Sequence, residues 1–418
     1  MRIAILSDFH FGFRSGTERA DDPYEAFAEA IEKAKDCDLI IFGGDVFDTR
    51  NPDAETLTKA MELMIKPLLM QNDVKLVQGI GKDISKVSEI ALMGTPIIAI
   101  HGTHERRTKG LLNPVEALEK AGFLVYLRCN GVIFEKGGER MAIQGMSGVP
   151  DQYAEGVLSN WNPKPEKGCF NILLLHQSVT EFLYAPHTLD LNKIPKGFDL
   201  YINGHIHEAK KSEYNGKPFL LTGSLIPTQL REESEKPKGF WVAETKGENV
   251  TAINWVELEN QRKVYYRTFE NEGIETIERE LNTIIKENPE KKPIARLDLK
   301  GKVKDTLVND IEMKFGDKLI LSFKREREEK KIPTKTPEEH KLSVEEMGRK
   351  ILLENLRKSG LDPKIFENLF ELLAEGRSEE AMDRLMEIPA KTEKPKKKGK
   401  EGGEKGKVKQ TILFRPEN

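Results

Sequence analysis

Short apolar runs that stop at Gly, Asp or His constrain this chain more than any other feature. They fall at 2–6, 39–42, 96–100, 124–127, 141–143, 172–175, 200–202 and 219–221, and most are β-branched or leucine-rich with helix-like stretches between them. Over residues 1–258 that alternation predicts a layered α/β domain built on buried strands. Chemistry is then expected where strands stop, because a rigid sheet presents its loops from one edge.

Composition narrows the class. The chain has 418 residues, with 66 Lys and Arg against 69 Asp and Glu, and 38% hydrophobic residues, which excludes disorder throughout and fits two or three domains. No stretch reaches the roughly 18–20 apolar residues of a membrane span, and the first run is too short for a signal peptide, so an intracellular, cytoplasmic protein is expected. Three widely spaced cysteines, Cys37, Cys129 and Cys169, form no CxxC pair. They argue against a disulfide framework and against a thiolate zinc site.

Beyond residue 258 the pattern changes. Residues 259–325 read as a compact αβ appendage, with strands at 264–267, 294–299 and 319–323 and helices at 275–286 and 305–313. Residues 326–341 are charged, contain two prolines and lack an apolar period, as an exposed linker does. Residues 342–390 read as short helices, opened by the capping box Ser343 and Glu346. The apolar face of Ile365, Phe366, Leu369 and Leu372 needs cover from a partner or from the rest of the chain. The tail, 391–418, holds ten Lys and Arg against four Glu and is disordered by composition, whether it holds nucleic acid or only solubilises.

Five of the eight histidines sit in short motifs at run ends: Asp8-Phe9-His10, Gly44-Asp45, Gly102-Thr103-His104-Glu105, His176-Gln177 and Gly204-His205-Ile206-His207. Side chains two apart on extended backbone can converge on one point, which suits Asp8 with His10, and His205 with His207 can reach two adjacent points. Gly44, Gly102 and Gly204 allow sharp turns that keep these side chains close. Imidazole mixed with carboxylate suits Mn, Fe, Zn or Co. A carboxylate such as Asp45 can bridge two ions about 3.5–4 Å apart, an arrangement that activates water and clamps phosphoryl oxygens. Phosphoester hydrolysis is the reaction this chemistry points to.

In that order, the motifs DxH, GD, GxH(E), H and GHxH resemble the calcineurin-like metallophosphoesterase superfamily. Within it the chain resembles the archaeal Mre-eleven or SbcD-type double-strand-break-repair nucleases, on three further features: Leu221-Thr222-Gly223-Ser224-Leu225 after the last His motif, the αβ appendage, and the linker followed by helices. The resemblance implies a four-layer αββα sandwich, a small αβ capping domain and a C-terminal helical arm. It implies two Mn2+ ions, one held by Asp8, His10, Asp45 and His207 and the other by Asp45, His176 and His205. His104 would face the scissile phosphate. It also implies 3′-to-5′ exonuclease and single-strand endonuclease activity on DNA, a homodimer, and a coiled-coil ABC ATPase of the Rad-fifty type bound by the helical arm.

Two positions depart from the pattern. Thr103 stands where the superfamily usually has an Asn ligand to the second metal, and its hydroxyl is a shorter, poorer ligand that could act through water. Asp48 stands where many members have His, and it reads either as a functional group or as a helix cap. Arg106 and Arg107 are the expected DNA-phosphate contacts; Arg50, Lys109, Lys210 and Lys211 read equally as solvated loop charge. Rival readings are a phosphodiesterase or phosphatase with another substrate, and a mainly structural DNA-end tether. The patch Gln410 to Phe414 resembles half of a clamp-binding peptide, without the aromatic pair that should follow.

Overall fold

The run Arg2–Leu6 is buried on both faces because its side chains alternate between two apolar layers. Ile3 and Ile5 enter a layer shared with Ile172, Leu174 and Ile202. Ala4 and Leu6 enter another, with Phe27, Ile31 and Met64. The neighbouring strand divides by the same parity, Leu39 and Ile41 to the first layer and Ile40 and Phe42 to the second. Each such aliphatic or aromatic side chain contributes about 1.5–3 kcal/mol when fully buried.

These relations come from a computed structural model that describes residues 1–325 except 109, 184–187, 271, 289–290 and 302–304. The linker, helical arm, basic tail and Lys109 named above lie outside the described residues.

Two sheets form the middle layers. In spatial order the first contains Asn249–Glu257, Gly239–Lys246, Arg2–Leu6, Leu39–Phe42, Ile97–Ala99 and Val125–Tyr126. Its last four strands run parallel. The second contains Lys210–Tyr214, Lys217–Leu221, Leu200–Asn203, Phe170–Leu175, Glu139–Met146, Asn130–Lys136 and Lys75–Ile80, with a parallel centre. Helices Asp22–Lys33 and Ala54–Leu68 cover the first sheet, and Asp151–Trp161 covers the second through Ala154 and Leu158. This is the expected αββα sandwich. Strands 75–80, 130–136, 210–214, 239–246 and 249–257 were not expected from the apolar runs. Lys75–Ile80 and Lys210–Tyr214 explain why: both are largely exposed edge strands, paired antiparallel through backbone and lacking a continuous apolar run.

Residues 264–325 have their own sheet, the parallel strands Val264–Glu270, Ile294–Lys300 and Ile320–Arg325. Parallel neighbours need crossovers, and helices Ile274–Glu287 and Asp305–Phe315 provide them. Its core includes Phe269, Leu281, Leu297, Ile311 and Phe315. A buried ion cluster ties it to the larger sandwich through Arg262, whose Nη1 donates to Lys292 O at 2.5 Å. Arg262 Nε donates to Asp22 Oδ1 at 3.0 Å, and Arg19 Nε donates to Asp22 Oδ2 at 3.1 Å.

Candidate metal centre

The parallel strands stop together, and their loops are stitched by backbone. Asp8 N donates to Gly44 O at 3.0 Å, His10 N to Asp45 O at 3.1 Å, and Gly204 N to Leu175 O at 2.9 Å. Asp8, His10, Asp45 and His205 all adopt left-handed backbone, with φ of 54°, 55°, 47° and 74°. For residues with a Cβ this region is sparsely populated, so the loops hold these side chains at a cost in backbone energy.

Two groups of side chains result. One ligand atom each from Asp8, His10, Asp45 and His207 lies within 4.8 Å of the others, and so does one each from Asp45, His176 and His205. Asp45 belongs to both. A third group, His10, Asp48 and His104, meets the same spacing. Asp8 and His176 are fully buried, and Asp45 and His10 nearly so.

Each imidazole is fixed from its outer side. His10 Nδ1 donates to Asp48 Oδ1 at 3.1 Å, His176 Nδ1 donates to Gly43 O at 2.7 Å, and His207 Nδ1 lies 2.6 Å from Thr228 Oγ1. In all three the inner nitrogen is therefore Nε2. His205 is the reverse: its Nε2 lies 3.0 Å from Ser178 Oγ, which donates to Asp151 Oδ2 at 3.0 Å. Nδ1 is then its free nitrogen.

The charges fit cation binding. Burial alone would raise the Asp8 carboxyl, but the His207 contact and the His176 and His207 charges outweigh it and hold it below its ordinary value. Asp45 is likewise held well below the carboxylate range, burial being outweighed by His176 first and then by His10 and His104. Burial opposes charge on His176, yet Asp45 and then Asp8 push it up to about 9. Burial, with the His176 charge, pulls His205 down to about 4. A cation here must displace the proton of His176.

Buried atoms give an independent test of fit. Asp8 Oδ1 and His176 Nε2 have no hydrogen-bond partner. Asp8 Oδ1 lies 3.3 Å from His207 Nε2, and His176 Nε2 lies 3.3 Å from Asp45 Oδ2, neither pair aligned as a hydrogen bond. His10 Nε2 and His207 Nε2 face one another at 3.3 Å. Unpaired buried polar atoms are costly, and divalent cations between them, once the His176 proton is displaced, would satisfy all of these atoms. The glycines leave no slack. A Cβ on Gly44 would collide with His176 Nδ1, one on Gly204 would come 2.7 Å from that same atom, and one on Gly102 would overlap Asp45 Oδ1. The residues present fit a two-cation centre.

Thr103 Oγ1 donates to Asp45 Oδ2 at 3.3 Å, and His104 N donates to Asp45 Oδ1 at 2.9 Å. The His104 side chain is 43% exposed, and its Nδ1 donates to Asp48 O at 2.8 Å. Both line a cavity of about 620 Å3 that also reaches His205, His207, Lys238 and Trp241. Arg106 and Arg107 line a separate cavity instead. The helix-cap reading of Asp48 is not what is found: the cap of Ala54–Leu68 is Asp53, which accepts from Thr56 N at 2.7 Å.

Sequence reasoning missed Glu105, Thr228, Ser178 and Asp151. Buried Glu105 accepts from Phe47 N at 2.8 Å and from Gly102 N at 2.7 Å, joining two of the loops. Burial and the Asp45 charge raise its carboxyl to about 8. Its place directly after His104 was its only signal. Ser178 likewise had only its place directly after His176-Gln177, and Thr228 and Asp151 are common residue types far from the His motifs in sequence and carried none.

Comparisons with known proteins agree with this geometry. A calcineurin-like phosphoesterase family model matches residues 1–209. The DNA double-strand break repair protein Mre11 of Saccharolobus solfataricus is 30% identical over 241 residues, covering 56% of this chain and 56% of that protein. Its Sulfolobus acidocaldarius counterpart is 25% identical over 334 residues, covering 75% of this chain and 79% of that protein. The double-strand break repair protein MRE11 of Arabidopsis thaliana is 26% identical over 289 residues, 59% of this chain and 40% of that protein. Against most such relatives the chain spans about half their length.

Proposed function

Because the chain belongs to the calcineurin-like phosphoesterase family, we propose that it is a divalent-cation-dependent nuclease that hydrolyses DNA phosphodiester bonds in double-strand-break repair. The observation that carries this reading is the sharing of Asp45 between two ligand groups, each with its own buried unpaired atom. The likeness to relatives named for break repair supports DNA as the substrate.

In this reading Asp8, His10, Asp45 and His207 hold one cation. Asp45, His176 and His205 hold the other, with the Thr103 hydroxyl beside it. Two Mn2+ ions, when bound, supply a water nucleophile at neutral pH and neutralise charge on the phosphoryl oxygens. The chain's own groups do the rest. Asp48 fixes the His104 ring through Nδ1, so in the imidazolium form the proton on Nε2 is the one given to the leaving oxygen at the mouth of the site, leaving the neutral ring behind. Asp45 holds the His104 backbone, so the proton donor and the cation-binding carboxylate keep a fixed relation. Arg106 and Arg107 contact phosphates of the bound strand without reading bases. Exonuclease polarity, single-strand endonuclease activity, two-fold dimerisation and docking of a coiled-coil ABC ATPase on residues 342–390 belong to the same proposal, as does the division into domains at 1–258 and 259–325. A cytoplasmic, nucleoid-associated location follows from it. Among the described residues no helix is long and apolar enough to cross a membrane.

The test is cleavage of single-stranded and duplex DNA by the purified chain with Mn2+, beside an Asp45→Ala control and a panel of nitrophenyl phosphate esters and cyclic nucleotides. DNA cutting that the control lacks is expected. Intact DNA alongside hydrolysed small esters would overturn the nuclease reading in favour of another phosphoesterase.

A further inference from the structure

The second cavity, of about 280 Å3, adjoins the turn that carries Thr103 and His104, and its lining includes His101, Arg106 and Arg107 from either side of that turn. Arg128 lines it too. No Asp or Glu does. Among the described residues none of these three guanidinium groups has a carboxylate partner, although Arg106 and Arg107 are half-buried. Most of the remaining lining is neutral, including Leu111, Val149 and Val157.

Such a cluster is electrostatically unfinished. Lysines could relieve mutual repulsion by losing a proton, but the delocalised guanidinium of arginine does not. Only an anion can. A guanidinium fork pairs with two oxygens at once, so three forks around one cavity call for more acceptors than a carboxylate offers; a phosphate surrounds its centre with them. The volume lies just below the roughly 300–1,000 Å3 of ordinary small-molecule sites, which admits a phosphate with part of a nucleoside but not a strand. Arg106 and Arg107 follow His104 by two and three residues, so they lie within roughly 11 Å of it along the chain. That is the rise of about three nucleotides of one B-form strand, at 3.4 Å each.

We infer that Arg106, Arg107 and Arg128 form a phosphate pocket distinct from the metal centre. Its ligand is a phosphate on the strand being cut, or the phosphate of a nucleotide released from it. The choice of phosphate rests on the nuclease reading; the need for an anion does not.

Arg128 is exposed and lies outside the candidate metal centre, so it is the residue to change. Deoxyadenosine 5′-monophosphate and a 5′-hydroxyl oligothymidylate are each titrated calorimetrically into the full chain, with EDTA present to keep the metal centre out of the measurement. Arg128→Glu should weaken binding at least tenfold, and for the oligonucleotide it should flatten the plot of log K against log salt by about 0.7, the release expected for one single-strand phosphate. Arg128→Lys should keep that slope and lose only part of the affinity. An effect on the mononucleotide alone assigns the pocket to the released nucleotide; an effect that includes the oligonucleotide assigns it to the strand. Failure of the wild type to bind either probe, or unchanged affinity for both in Arg128→Glu, would overturn the pocket. Wild-type DNA cleavage with Mn2+ is measured in parallel. Absent cleavage with Arg128-dependent binding would sink the nuclease reading and leave the pocket standing, and cleavage with Arg128-independent binding would do the reverse.

Discussion

Asp48 Oδ1 accepts a hydrogen bond from His10 Nδ1 at 3.1 Å. The carboxylate can only accept, so Nδ1 carries the proton and Nε2 is left as the ligand atom. The same residue's carbonyl accepts from His104 Nδ1 at 2.8 Å, so one position orients a candidate cation ligand and the candidate proton donor. Asp48→Ala should lower Mn2+ affinity about 10–100-fold, the usual cost of losing such an outer partner. Calorimetric titration of the metal-free chain with Mn2+ would measure it. An unchanged affinity would mean that His10 needs no help from Asp48.

His104 should behave differently, because it faces the mouth of the site rather than its floor. With its side chain 43% exposed, His104→Ala should change folding stability by no more than about 0.5 kcal/mol. Mn2+ affinity should also hold. Turnover on DNA should fall about 10²–10⁴-fold, as expected on removing a general acid. A variant that binds Mn2+ poorly would instead make His104 a ligand.

Much of the fold and of the site's membership was legible because it is written in local pattern. Ile3, Ile5, Ile41 and Ile172 stand in runs with no polar interruption, which only a buried strand explains, and the candidate ligands follow such runs within a few residues. Edge strands such as Lys210–Tyr214 were not legible, since their stability comes from backbone pairing with Lys217–Leu221 rather than from apolar side chains. Nor were the contacts that hold the ligands from outside. Thr228 meets His207 across 21 residues, and Asp151 reaches Ser178 across 27, and neither spacing leaves a periodic trace. Asp48 was visible as a departure, but its direction toward His10 required the fold.

His101 should make the protein acid-labile. It is 6% exposed, and its Nδ1 lies 2.5 Å from the Tyr126 hydroxyl. Burial, and then the Arg128 charge, pull it down to about 3. In the unfolded chain it returns to about 6.5. Between those values the unfolded state takes up a proton that the folded state refuses. The stabilising contribution is therefore complete above about pH 6.5 and shrinks as pH falls toward 3, by about 1.4 kcal/mol per pH unit. Urea unfolding of metal-free wild type and His101→Gln isolates this group from the others. From about pH 6 to pH 5 the wild type should lose about 1 kcal/mol more than the variant. Equal losses would mean that His101 is not held neutral.

Gly102 tests whether backbone clearance builds the metal centre. A Cβ there would overlap Asp45 Oδ1 and come 2.5 Å from Asp45 N, and neither group can retreat, because Asp45 is buried and its oxygens also meet His104 N and Thr103 Oγ1. Overpacking of this kind costs about 1–3 kcal/mol. The functional loss should exceed the stability loss, since the displaced carboxylate belongs to both ligand groups. Gly102→Ala is expected to melt lower and to bind fewer than two Mn2+ per chain in equilibrium dialysis. Gly156, within helix Asp151–Trp161, is the matched control, because a methyl group there would meet nothing within 4 Å. Gly156→Ala should raise stability by up to about 1 kcal/mol and leave the stoichiometry alone. Full Mn2+ loading of Gly102→Ala would show that Asp45 can move without losing its cations, and that the tight turn at Gly102 serves some other end.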